Sequence, residues 1–253
     1  MNSTRPSKRC HVLLGALGLV FLGNFAWAQI SNASTSSKPE THIVSEKTLT
    51  ARQQAIAPIG ASMAVGDMPR LHDALNHGLD AGLTISESKE ILVQLYAYAG
   101  FPRSLNALSL LMKVLQERAA RGIHDAQGRD PGPVPSARAL LDLGTDNQTR
   151  LLGAPVSGPL FEFAPAIDQF LKGHLFGDIF ARDNLEWADR ELATVGAIAA
   201  MPGLESQLES HLKISMNVGL TVQQLHQVAS ELKTAGEPDG AKRILVALEK
   251  ING

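Results

Sequence analysis

Glu191 and His211 are the residues of this chain whose types and spacing best suit proton transfer. They lie in the stretch RELATVGAIAAMPGLESQLESH, residues 190–211. The pattern predicts a helix over 186–200, a break at Met201-Pro202-Gly203, and a second helix returning antiparallel. Leu185, Ala188, Leu192, Val195 and Ala199 form the apolar stripe of the first helix, and Glu191 sits beside it. Its helical neighbours are Trp187, Thr194, Val195 and Ile198, so partial desolvation is expected, which disfavours the charged carboxylate and suits acid–base work. On the second helix Leu204, Leu208, His211 and Ser215 share a stripe, so the imidazole faces the acid across the hairpin. Arg190 is expected to point away, toward solvent or a partner. The same spacing also fits a buried glutamate bonded to a helix end or an arginine, with a satisfied core histidine.

A second group is His174, Asp178 and Arg182, spaced four apart along one predicted helix face. An Asp178–Arg182 surface pair is one reading. The functional one makes Arg182 an anchor for a substrate carboxylate, because a guanidinium fork binds two oxygens at once, with His174 and Asp178 beside it. No metal site is expected, since the eight histidines show neither HxH nor HExxH spacing. No cofactor motif stands out.

These residues must be positioned by helices. From Leu49 onward no period-two alternation suggests a strand, so the class expected is all-α, a bundle of helix hairpins. The segment from Leu49 to Thr84 lies over that from Leu185 to Thr221, in unbroken register from Thr50 on Trp187 onward, matching Gly66 to Gly203 and Gly82-Leu83-Thr84 to Gly219-Leu220-Thr221. Further on, AGFP at 99–102 meets AGEP at 235–238, with one residue dropped. Two tandem units are therefore expected, 49–121 and 161–253. The first unit carries Gln54 and Ala74 where the second carries Glu191 and His211, although His72 and His77 lie nearby. Between the units, 122–160 is rich in Gly and Pro and reads as a loop segment that covers a site. It leads into FEFAPAIDQFLKGHLFGDIFARD, read as an amphipathic helix.

Residues 1–28 read as a signal peptide, with Arg5, Lys8 and Arg9 before an apolar run and AWA ending at Ala28. Cleavage there would send the protein to a periplasm or outside the cell, and a retained anchor is the other reading. Residues 29–48 are a polar lead-in. The one cysteine, Cys10, falls inside the signal, so the mature chain would lack thiol chemistry. A net charge of −2 and 5% aromatics give no reason to expect nucleic acid, and no membrane contact is expected after cleavage.

Residues 91–108 (ILVQLYAYAGFPRSLNAL), 170–201 (FLKGHLFGDIFARDNLEWADRELATVGAIAAM) and 207–221 (QLESHLKISMNVGLT) resemble the carboxymuconolactone decarboxylase family, which shares its fold with AhpD-like alkylhydroperoxidases. The resemblance implies paired helical units that assemble as homo-oligomers, trimers foremost. Glu191 and His211 match the outer members of the AhpD relay, while its cysteine positions fall near Leu204 and Gln207, which have no redox chemistry. By the decarboxylase resemblance, His211 would donate and accept the proton, Glu191 would orient it, and Arg182 would hold a substrate carboxylate. The expectation is an exported, cofactor-independent, lyase-type enzyme acting on a small carboxylated or lactone metabolite. The alternative is a non-catalytic binding or assembly protein on the same fold.

Overall fold

Thr84 and Thr221 each close a capping box. Each hydroxyl accepts from the backbone N–H three residues on, and Glu87 or Gln224 reaches back to the threonine N–H. Just upstream, Gly82 and Gly219 adopt φ of 98° and 102°, a left-handed turn that side chains with a Cβ resist. These stop-and-start signals divide the chain into helices, and among the described residues there is no strand. A computed structural model describes residues 48–133 and 137–253. The expected signal peptide, Cys10 and nearly all of the 29–48 lead-in lie outside the described residues.

The helices are α1 (Ala51–Gln54), α2 (Ile56–Val65), α3 (Met68–Asp80), α4 (Ile85–Gln94), α5 (Tyr96–Ala99) and α6 (Phe101–Ala120), then α7 (Ala137–Leu152), α8 (Pro159–Phe163) and α9 (Pro165–Phe170). A π-helix over Leu171–Ile179 follows, then α10 (Trp187–Ala200), α11 (Glu205–Asn217), α12 (Val222–Thr234) and α13 (Pro238–Asn252). None of the described helices is long and apolar enough to cross a membrane.

Helices α2 and α10 form the centre, and both are buried along most of their length. They approach backbone to backbone. A Cβ on Gly60 would collide with the Ala193 carbonyl oxygen, and one on Gly196 with the Ala57 carbonyl oxygen. Around them α3, α4 and α6 pack on one side and α11, α12 and α13 on the other, closing a single apolar core that includes Ile59, Met63, Leu71, Leu192 and Leu225. Gly196→Ala is expected to destabilise by about 1–3 kcal/mol, since the obstacle is backbone that cannot swing aside. Gly173→Ala, where nothing lies within 4 Å, should change stability by less than about 1 kcal/mol. Denaturant midpoints of the two variants check the contrast.

The stretch expected as a loop over 122–160 contains the 16-residue helix α7. Its buried face is made of Gly144, Asn147, Gln148 and Leu151, so the helical period is carried by a glycine and two amides instead of by apolar side chains. Gly144 lies directly on the Lys172 carbonyl, and Asn147 donates to the Phe176 carbonyl at 2.9 Å. This pair of helices encloses a second apolar cluster of Leu151, Leu175, Phe176, Ile179, Phe180 and Ile214. The single amphipathic helix expected after residue 160 is broken into α8, α9 and the π-helix. Pro165 starts a new helix, and Gly173 and Gly177 weaken the α-helical preference where α7 presses in. The rest of the linker is tied down. Ile85 and Ser86 N–H donate to the carbonyls of Ala126 and Gln127, and Asp183 is held by Arg129 and by the Gly132 N–H.

Candidate functional site

The turn at 201–203, with Gly203 at φ 85°, folds α11 back along α10 and brings Glu191 and His211 together. His211 Nδ1 lies 2.8 Å from Glu191 Oε2. The carboxylate is 1% exposed and the imidazole 12%, so the acid is fully buried and the ring keeps a small edge open to solvent. A carboxylate on Nδ1 holds the proton there and leaves Nε2 as the working nitrogen. Glu191 Oε1 is buried with no hydrogen-bond partner among the described residues. Tyr98, from α5, meets the His211 ring edge-on, with centroids 5.5 Å apart and planes at 77°. Its hydroxyl is also buried and lies toward Thr194 of α10. Burial, and then the charge of Glu191, push the phenol well above the ordinary tyrosine range, so it stays a protonated donor. The orphaned Glu191 oxygen beside the imidazole marks a place where a hydrogen-bond donor gains a partner.

One turn away lies a charged hub that the sequence reading misplaced. Arg190 does not point outward. It is fully buried, donating to Glu90 Oε1 at 2.9 Å, to Gln94 Oε1 at 3.0 Å and to the Arg182 carbonyl at 2.7 Å. The physical reason is that α10 has neighbours on every side, so its polar residues must find partners inside. Burial pulls the Arg190 guanidinium below its ordinary range against the opposing pull of Glu90. Arg182 forks onto the same carboxylate, with Nε at 2.9 and 3.0 Å from its two oxygens and Nη2 at 2.9 Å. Burial works against the Glu90 charge, yet Arg182 and Arg190 hold its carboxyl below the usual range.

Beside this hub opens a cleft of about 890 Å³, lined by residues that include Arg150, Phe180, Arg182, Trp187 and Asn217. That volume suits a small metabolite. Arg150 lies over the Trp187 ring, 4.7 Å from its centroid, and makes no ion pair among the described residues. Arg182 thus lines the cleft, but its fork is taken by Glu90. His174 and Asp178 pair with each other at 2.6 Å, half-exposed, and are not among the lining residues. Nor do they make the expected Asp178–Arg182 pair, because the wider π-helical turn changes which residues share a face. Glu191 and His211 are not lining residues either; Glu191 follows Trp187 by one turn of α10. Sequence reasoning missed Arg150, hidden in the segment read as loop, and Tyr98, which comes from the other half of the chain. Among the described residues no three His, Cys, Asp or Glu side chains converge to hold a metal ion.

The fold and site define an all-α protein with a buried acid–imidazole pair on a central helix hairpin. Residues 165–248, from the start of α9 into α13, match the carboxymuconolactone decarboxylase family model. That match takes in Glu191, His211 and the whole hairpin carrying them. Comparison with curated proteins gives no match.

Proposed function

We propose that this chain is an exported, lyase-type enzyme that moves a proton on a small carboxylated or lactone metabolite without a cofactor. The observation that carries the reading is the 2.8 Å bond between buried Glu191 and His211, inside the segment that matches the decarboxylase family. In this reading the substrate carboxylate pairs with Arg150, whose guanidinium lies over Trp187 at the cleft, and the rest of the substrate extends along α10 toward His211. The breaking bond to CO2 leaves its electron pair in the conjugated lactone, and protonated His211 delivers a proton from Nε2 to that carbon. Glu191 stabilises the imidazolium before the transfer and fixes the ring afterwards. The two halves of the chain are read as copies of one unit, of which only the second keeps the pair. A homo-oligomer, trimeric by family resemblance, is part of the same reading. Without a cysteine beyond Cys10, thiol peroxidase chemistry is not proposed.

The test is to incubate the protein lacking residues 1–28 with a panel of carboxylated lactones, following CO2 release and ultraviolet absorbance. Arg150→Ala is expected to raise KM about tenfold with kcat little changed, as loss of a charge-assisted contact to substrate does. A second reading is favoured by the placement of Glu191 and His211 outside the cleft lining: a binding protein without turnover. A rise in Tm with lactone acids but no CO2 release would establish it in place of the first.

A further inference from the structure

Laid over the second half of the chain, the first half puts Gln54 at the position of Glu191 and Ala74 at that of His211. After the one-residue drop, Thr234 stands at the position of Tyr98. The three residues that fill the site on one side are thus answered by smaller or uncharged ones on the other. Gln54, Ala74 and Thr234 together line a cavity of about 410 Å³ between α2, α3 and the end of α12. Where His211 and Tyr98 occupy the space in one half, alanine and threonine leave it empty in the other.

The walls of this cavity have a definite chemistry. Pro58, Ala74 and Ala235 give it an apolar side. Ser62, 4% exposed, lines it with a hydroxyl that makes no hydrogen bond among the described residues. Gln54 spends its amide N–H on the Leu49 carbonyl at 2.8 Å, which leaves its carbonyl oxygen as an acceptor. Glu231 is half-buried in the wall and makes no ion pair among the described residues, and Asp73 stands at the rim with the edge of His72 at 3.3 Å. The one arginine of the lining is already neutralised. Arg70 is bonded to Asp67 at 2.7 Å, to the Gly236 carbonyl at 2.6 Å and to Glu237 at 3.1 Å. With Arg70 neutralised, the lining holds two carboxylates and these acceptors around an apolar wall, with His77 as its remaining titratable group.

We propose that this cavity is a second ligand site, which binds a small organic cation: a protonated amine on an apolar stem, held by Glu231, the Ser62 hydroxyl and the Gln54 carbonyl. Its volume lies in the range of small-molecule sites. It is separate from the Glu191–His211 chemistry and shares no residue with it.

Isothermal titration of the protein lacking residues 1–28 with 2-phenylethylamine tests this, with 2-phenylethanol and 3-phenylpropionate as neutral and anionic probes of similar shape. The expected result is saturable one-to-one binding of the amine alone, weakened about tenfold by Glu231→Gln, the loss that follows removal of a charged hydrogen-bond partner. Ala74→Leu, which refills the cavity, should abolish it, and Glu231→Gln covers the case in which that variant does not fold. Absence of saturable amine binding, equal binding of the carboxylate, or amine affinity unchanged by Glu231→Gln overturns the proposal. None of these outcomes bears on turnover at His211, so the two readings fail separately.

Discussion

Replacing Glu90 with alanine is expected to lower the unfolding free energy by about 3–5 kcal/mol and Tm by roughly 10 °C. The carboxylate, itself 1% exposed, is the counter-charge for both Arg182 and fully buried Arg190. Removing it strands a guanidinium in the core, and the cost is that of an unpaired buried charge. The hub as a whole contributes much less, because desolvating three charges offsets most of their attraction. Glu90→Leu combined with Arg190→Met should therefore recover much of the loss, a non-additivity that urea denaturation of the single and double variants measures. The acid limb follows in sign. The Glu90 carboxyl is held below its unfolded value, so its contribution is complete above that value, about pH 4.3, and is lost as pH falls through the folded one. Glu90→Gln should flatten the fall in stability over that window.

The second large effect concerns chemistry. His211→Gln is expected to lower turnover of any lactone acid that the protein consumes by about 10²–10⁴-fold, the usual worth of a positioned general acid–base. Glutamine keeps a donor within reach of Glu191, so the variant should fold and melt near wild type, which separates lost proton transfer from lost packing. Glu191→Gln retains an acceptor for Nδ1–H but removes the charge that favours the imidazolium. It should cut kcat with KM little changed, because the charge that steadies the imidazolium during the transfer is gone while the hydrogen bond remains. Turnover that survives both substitutions would place the reaction elsewhere. A purely structural pair, the other reading of the sequence, would show the reverse, with stability falling and chemistry unmoved.

The hairpin and its pair were legible because they are written in local signals. The break at Met201-Pro202-Gly203 and the spacing of Glu191 and His211 on two short helices fix their faces with little help from the rest of the chain. Arg190 was misread for a related reason. A helical wheel assumes one wet face, and α10 has none, so a charge assigned to solvent turned out to be paired with Glu90 across 100 positions of sequence. Helix α7 escaped notice because its buried face consists of Gly144, two amides and a single leucine, Leu151. Periodicity in apolar residues cannot detect a helix that packs by close backbone approach. Tyr98 was invisible as a neighbour of His211 since only the tertiary fold brings the two halves together. The cleft depends on the same long-range packing, with Arg150 carried in on α7.

The close crossing of α2 and α10 also sets how the chain must fold. Gln94 reaches Thr194 and the Arg190 carbonyl from about 100 residues away, and the glycine contacts between the two central helices span more chain still. Loop closure of that size comes before any reward from the core, so the barrier to folding is largely entropic and nucleation is slow for an all-helical protein. A growing chain that ends before Trp187 has α3, α4 and α6 to pack on α2 but leaves the face of α2 that meets α10 uncovered. Until α10 arrives, the first half is a client for whatever protects unfolded chains, and only the arrival of the second half makes it a protein.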